Sequence, residues 1–236
     1  MAEILRALLF DKDGTLLDFD ATWGAVTEAV IARIAPDAAL GDRMAELAGY
    51  DRGARRFRPG SPIVAGATTD TAEIWAPLLN GRSISEIADH IDAVVAEITG
   101  PDTLVPAVED MPVLLSDLRR AGLALGIATH DSQANAQFHI EALGLARAFS
   151  FIAGYDSGHG LKPGPGMLMA FSQAVAVPAN QIAVVGDSVH DLGMARSGGA
   201  LAIGVLTGPA EHADLAPHAD HVLPSIGALP ALLRDQ

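Results

Sequence analysis

The chain has 236 residues, half of them apolar and 19% charged, which is enough to bury a core in one or two domains and excludes intrinsic disorder. Its 15 Lys and Arg stand against 29 Asp and Glu, a formal charge of -14 that repels phosphate backbones and anionic lipid, so neither nucleic acid nor a membrane is expected as a partner. There is no cysteine, which excludes disulfides, thiolate metal sites and a cysteine nucleophile.

In chain order, the first apolar run is ILRALLF (4–10), ending at DKDG. Four apolar positions in a row before Asp11 read as a strand buried on both faces. The segment before it lacks the pattern of a signal peptide, and no apolar stretch approaches the roughly 20 residues of a membrane helix. A soluble, cytoplasmic protein is expected, a monomer or a homodimer. From residue 18 to about 100 the strand signal nearly vanishes, and helical periodicity takes over in TWGAVTEAVIARIA, RMAELAGY, TAEIWAPLLNG and ISEIADHIDAVVAEIT. This reads as a helical domain inserted after the first strand.

Beyond it, helical patterns at 111–122, 133–144 and 166–177 alternate with apolar runs. The runs are LALGIAT (123–129), FSFIAG (149–154), IAVVGD (182–187), LAIGV (201–205) and DHVL (220–223). The alternation predicts an α/β fold: a parallel sheet covered on both faces, formed by 1–17 and 101–236, with 18–100 inserted as a helical cap.

In such a sheet, ligands sit at the carboxyl ends of the strands. Asp11, Asp13 and Thr15 follow the first strand; Thr129, His130 and Asp131 follow LALGIA. Lys162 follows FSFIAG and a loop, and Asp187, Ser188 and Asp191 follow IAVVG. Three carboxylates brought together repel unless a cation sits among them. Oxygen donors without Cys or a grouped His set favour Mg²⁺ over zinc. Such a set suits a phosphate group. The metal, Thr129 and Lys162 would spread its charge while one aspartate attacks in line, and the second, two residues away, would handle the proton.

DKDGTL, the strand-terminal Thr129, Lys162 followed by Pro163, and GDSVHD, in that order, resemble the four motifs of the haloacid dehalogenase superfamily. The form with two aspartates resembles its phosphatase branch. The tail GDSVHDLGMARSGGALAIGVLTG, followed by ADHVLPSIGAL, resembles the phosphoglycolate phosphatase-like subgroup. The resemblance implies a Rossmann-like core with a helical cap and a Mg²⁺-dependent phosphatase acting on a small phosphorylated metabolite through an aspartyl-phosphate. Asp11 would be the nucleophile and Asp13 the acid and base, with Asp13 also reaching the metal through its carbonyl. Thr15 would shape the turn beside the substrate, Thr129 would bind the phosphate, and Lys162 would pair with phosphate and Asp11. Asp187 would bind the metal directly, and Asp191 would bind it through water or orient Lys162. The sequence departs from the pattern where asparagine commonly follows the threonine: here His130 stands as the substrate contact.

The arginine-rich segment DRGARRFRPG (51–60) offers Arg52 and Arg56 for a second anionic group such as a carboxylate, so 2-phosphoglycolate is the leading substrate expectation. The alternatives are a phosphomutase of the same superfamily and a non-enzymatic signalling or binding protein that carries a phospho-aspartate. DFDATWG, just after the first motif, lacks the histidine a mutase would use there. A receiver domain would carry its acceptor on a later strand and no helical insertion.

Overall fold

The computed structural model describes residues 5–58, 61–65 and 68–234. Position 4 of the first apolar run, and Pro59 and Gly60 of the arginine-rich segment, lie outside these residues. The chain divides into two compact units, one formed by Met1–Asp18 and Pro106–Gln236 and the other by Phe19–Val105.

In chain order, strand β1 (Ala7–Phe10) is followed by helices α1 (Phe19–Ile34) and α2 (Ala38–Leu47). Two-residue strands β2 (Tyr50–Asp51) and β3 (Arg56–Phe57) come next, then helices α3 (Pro62–Ala65), α4 (Thr68–Trp75) and α5 (Ile84–Ile98). The chain then alternates: α6 (Met111–Arg120), β4 (Ala124–Ala128), α7 (Gln133–Ala142), β5 (Phe151–Ala153) and α8 (Gly166–Val175). It ends with β6 (Ile182–Gly186), α9 (Val189–Gly198), β7 (Leu201–Val205), α10 (His212–Leu215), β8 (His221–Leu223) and α11 (Leu229–Arg234).

The first unit is a six-stranded sheet in the order β5-β4-β1-β6-β7-β8, with every pair parallel. All six apolar runs of the sequence are strands of this sheet. β1 lies at its centre, with Leu8 opposite Leu125 on one side and Ala183 on the other. Its side chains alternate between two cores, as a period of two requires. Leu8 and Phe10 join Leu125, Ile127, Val185 and Ile203 on one face. Ala7 and Leu9 join Ala128, Val184, Phe171 and Leu192 on the other. From β1 the order runs outward through β4 to β5, then restarts beside β1 with β6 and runs the other way to β8. Such a reversal opens a crevice at the carboxyl ends of the central strands.

Local sequence explains the helix starts that matter most. Ser132 and Ser188 cap α7 and α9, each accepting a backbone N–H three residues on. At α9 Asp191 reciprocates, its carboxylate accepting from the Ser188 backbone in a capping box. Gly199, in the left-handed region at φ 75°, ends that helix.

The second unit packs its helices around Phe19, Ile31, Met44, Trp75, Ile87 and Ile91. The Trp75 indole N–H donates to the Met44 carbonyl at 3.0 Å, so the largest ring in this core leaves no orphan donor. α5 begins at a capping box between Ser83 and Glu86. The 101–105 stretch belongs with these helices, the Val105 N–H donating to Thr22 Oγ1 at 3.0 Å. The arginine-rich segment forms an antiparallel turn rather than continuing the helical pattern, with Tyr50 opposite Phe57. The Asp51 carboxylate fixes the turn by accepting the N–H groups of Gly53 and Ala54, both at 2.9 Å.

Candidate active site

The carboxyl ends of β1, β4 and β6 bring together residues separated by 180 positions in sequence (11 to 191), all within the sheet-containing unit. Asp11 is the first residue past β1, its N–H still bonded to the Val185 carbonyl at 2.8 Å. The chain then turns on Lys12, whose carbonyl accepts from the N–H groups of Leu16 and Leu17, both at 2.9 Å. Asp187 is the first residue past β6, and Asp191 lies in the first turn of α9.

Lys162, from the loop between β5 and α8, reaches into this group. Its ammonium donates to Asp11 Oδ1 and to Asp191 Oδ1, both at 2.7 Å, and to the Ala128 carbonyl at 3.3 Å. The other oxygen of Asp191 accepts from the Ser188 backbone N–H at 3.1 Å and from its hydroxyl. Asp191 is thus tied at both oxygens, one holding Lys162 and the other holding its own helix start. All four charged groups are buried, none more than 7% exposed.

Burial of this kind sets the electrostatics. Desolvation pushes Asp11 up to about 7; Lys162 pulls it down, and Asp191 and Asp13 add repulsion. Asp187 is raised well above the ordinary carboxylate range, by burial first and then by Asp11 and Asp191. Burial pulls Lys162 down, but Asp11 and Asp191 together outweigh that and hold it above the usual lysine value. One ammonium therefore faces three carboxylates, and the cluster is short of positive charge.

That shortage is the observation against which a metal can be tested. One oxygen each from Asp11, Asp187 and Asp191 lie within 4.8 Å of one another. Two glycines leave room beside them. A Cβ at Gly14, which sits at φ 84°, would collide with the Asp187 carboxylate, and so would a Cβ at Gly208. A buried set of oxygen donors with excess negative charge fits a hard divalent cation such as Mg²⁺.

Thr129 and Thr15 are buried beside the cluster's strands. Thr129 Oγ1 accepts from the Asp131 N–H at 3.1 Å, while Thr15 Oγ1 has no hydrogen-bond partner among the described residues. His130 is half-buried and its Nε2 is likewise unpartnered. Burial, then the Lys162 charge, pushes this imidazole down to about 4, so it is neutral near pH 7, with its ring centre 5.9 Å from that of His190. Arg52 and Arg56 lie in the other unit and make ion pairs there. Arg52 binds Glu28 and Asp42, both at 2.6 Å, and Arg56 lies 3.3 Å from Asp20.

Asp13 has a partner that the sequence reading did not anticipate. The neighbouring Lys12 is fully buried, and its ammonium donates to Asp13 Oδ2 at 2.5 Å. It also lies 3.2 Å from His139 Nδ1 and 3.3 Å from Asp131 Oδ2. Burial, then Lys12, pushes His139 down to about 4, leaving a neutral ring whose Nδ1 accepts from the ammonium. Thr207, just past β7, was also missed; its hydroxyl donates to the Gly14 carbonyl at 2.6 Å and steadies the turn after β1. Thr207 follows the end of β7 with Leu206 between them, so a search for polar groups within two residues of a buried strand would have found it.

Comparison with known proteins gives the family. Residues 5–199 match the model of the haloacid dehalogenase-like hydrolases, and the chain belongs to that family. The chain is 29% identical to the phosphoglycolate phosphatase of Escherichia coli K12 over 221 residues, covering 87% of this chain and 83% of that one. It is also 29% identical to the phosphoglycolate phosphatase of Rhodospirillum rubrum over 199 residues, covering 82% and 76%. Among solved structures, a haloacid dehalogenase-like hydrolase of Streptococcus pneumoniae superimposes with a TM-score of 0.68 at 22% identity, covering 98% of this chain and 99% of that one. That likeness extends to the fold. The resemblance read from the four motifs is therefore met at the level of the family and of the parallel-sheet architecture. Among the described residues, no helix is long and apolar enough to cross a membrane.

Proposed function

We propose that this hydrolase is a Mg²⁺-dependent phosphatase that cleaves a small phosphomonoester through an aspartyl-phosphate, with 2-phosphoglycolate as the leading substrate. The observation that carries the reading is the Lys162 ammonium, bonded at 2.7 Å to both Asp11 and Asp191 at the carboxyl ends of the central strands. The two phosphoglycolate phosphatases at 29% identity support it.

In this reading an Asp11 oxygen attacks phosphorus, and the bond from phosphorus to the ester oxygen breaks. The departing oxygen takes a proton from Asp13. Water then attacks the phosphorus of the aspartyl-phosphate, Asp13 takes the water's proton, and phosphate leaves with Asp11 restored. Lys162 holds Asp11 in place and offsets charge on the phosphate oxygens, with the Thr129 hydroxyl as a further donor. Asp11, Asp187 and the Asp13 carbonyl would hold the metal, with Asp191 fixing Lys162 or reaching the metal through water. When bound, Mg²⁺ would neutralise the carboxylates and the incoming phosphate. Thr15 and His130 would line the phosphate's surroundings. The 18–100 helices would serve as a cap excluding bulk water, and Arg52 and Arg56 as its candidates for a substrate carboxylate.

The test is phosphate release from 2-phosphoglycolate, sugar phosphates, nucleotides and 4-nitrophenyl phosphate, with and without Mg²⁺. Turnover that requires Mg²⁺ and drops more than about a thousandfold in Asp11→Asn is expected. Activity that survives this substitution would remove Asp11 as nucleophile. Interconversion of sugar phosphate isomers without net phosphate release would replace the phosphatase by a mutase.

A further inference from the structure

We infer that Lys12 is a positioning residue for phosphoryl transfer, holding the Asp13 carboxyl through Oδ2 so that its other oxygen delivers the proton to the departing ester oxygen. The inference rests on the phosphatase reading above, and within it assigns a role to a residue of the first motif to which the resemblance gave none.

Three observations carry it. Lys12 has no exposed surface, and an ammonium is costly to strip of water, whereas an apolar side chain at the end of a buried strand is not. The ammonium has defined partners among the described residues: it donates to Asp13 Oδ2 at 2.5 Å, lies 3.2 Å from His139 Nδ1, and forms an ion pair with Asp131 Oδ2 at 3.3 Å. The two anchors other than Asp13 are themselves fixed. Asp131 Oδ1 accepts from the Ser132 N–H at 2.7 Å and from the Asn135 side chain at 3.1 Å, which ties it to the start of α7, and His139 is buried on that same helix. Lys12 is therefore held from the β4–α7 side and passes that fixed position to Asp13. A proton donor contributes only when its oxygen is aimed at the leaving atom, so a fixed carboxyl is the benefit that offsets the buried charge. Asp131, which falls outside the superfamily motifs, acquires a purpose as the far end of this brace.

The role makes a claim about leaving groups. An alkoxide leaves only if it is protonated, whereas 4-nitrophenolate leaves without help. The second-order constant kcat/KM reports the transfer to Asp11, the step in which Asp13 acts as acid. Lys12→Met should lower kcat/KM on the order of 10- to 100-fold for the best alkyl phosphate of the panel, and by less than about 3-fold for 4-nitrophenyl phosphate. Asp131→Asn keeps the lysine but loosens its anchor, and should give the same bias with a smaller loss; it carries the test if Lys12→Met does not fold. Equal losses on both esters, or none on either, would overturn the positioning role while leaving the phosphatase intact. A wild-type enzyme that releases no Asp11-dependent phosphate from either ester would bring down the phosphatase reading and this inference with it.

Discussion

Replacing Lys162 by methionine keeps most of the side-chain volume and removes the one ammonium bonded to both Asp11 and Asp191. Taking away one partner of a buried ion pair costs about 3–5 kcal/mol, because the other partner stays desolvated and uncompensated. Here the two pairs share one ammonium, so their losses do not add. The pH dependence separates this account from simple loss of packing. Lys162 is raised in the fold, so its contribution is fully present below the unfolded lysine value and is lost only as pH rises through the folded value; wild type keeps it across the neutral range. Asp11 is raised from 3.8 to about 7, so between those values the folded chain binds a proton that the unfolded chain has released, and wild-type stability falls as pH rises. Without Lys162, Asp11 and Asp187 rise further and the falling window extends to higher pH. In metal-free protein the deficit of the variant should be about 3–5 kcal/mol near pH 8 and shrink to about 1–2 kcal/mol near pH 5.5, where the carboxyls are protonated. Urea midpoints at both pH values, with a constant m-value, measure it. A deficit that is the same at both, or absent near pH 8, would refute the electrostatic account of the cluster.

Three further outcomes follow from the same geometry. Asp187→Asn removes a carboxylate raised by burial and by its neighbours, so metal-free protein should gain about 1–3 kcal/mol near pH 8; thermal melts should also show that Mg²⁺ no longer raises the midpoint, and an unchanged Mg²⁺ shift would exclude Asp187 as a ligand. Gly208→Ala places a methyl against the Asp187 carboxylate and should cost about 1–3 kcal/mol while raising the Mg²⁺ concentration needed for half-maximal phosphate release; normal Mg²⁺ dependence would show that the glycine only fills space. Arg52→Met breaks two surface pairs of a side chain that is 36% exposed, so stability should change by less than about 1 kcal/mol. Its KM for 2-phosphoglycolate should rise roughly tenfold with KM for 4-nitrophenyl phosphate unchanged, and equal KM values for variant and wild type on both esters would leave Arg52 as a structural ion-pair residue.

The sheet was legible because its four inner strands, β4, β1, β6 and β7, are buried on both faces and therefore read as apolar runs followed by polar residues. Leu8 and Phe10 enter one core while Ala7 and Leu9 enter the other, so no position in β1 tolerates a polar residue. The groups at the strand ends were legible for the same reason: Asp11, Thr129 and Asp187 are each the first residue past a strand. The arginine-rich segment was not. Its strands are two residues long, too short to show a period, and its shape depends on the Asp51 side chain and on Tyr50 lying against Phe57, with ring centres 4.8 Å apart. The partners of Arg52 at Glu28 and Asp42 are likewise fixed by how helices pack, which spacing along the chain does not encode.

Lys12 shows most clearly where sequence reading stops. Nothing in the sequence singles out Lys12 as buried, since most lysines are exposed. Its burial follows from the register of β1 with β4, Phe10 lying opposite Ile127, which brings the loop after β4 alongside the turn after β1. Only then do Asp131 and His139, 119 and 127 positions further on, become its partners. The two cations of the site thus divide the work between them. Lys162 ties Asp11 to Asp191 across the β1–β6 side, and Lys12 ties Asp13 to Asp131 and His139 across the β1–β4 side. In the proposed mechanism, two aspartates only two residues apart would hold different roles because each is bound to its own ammonium, anchored to a different neighbouring strand.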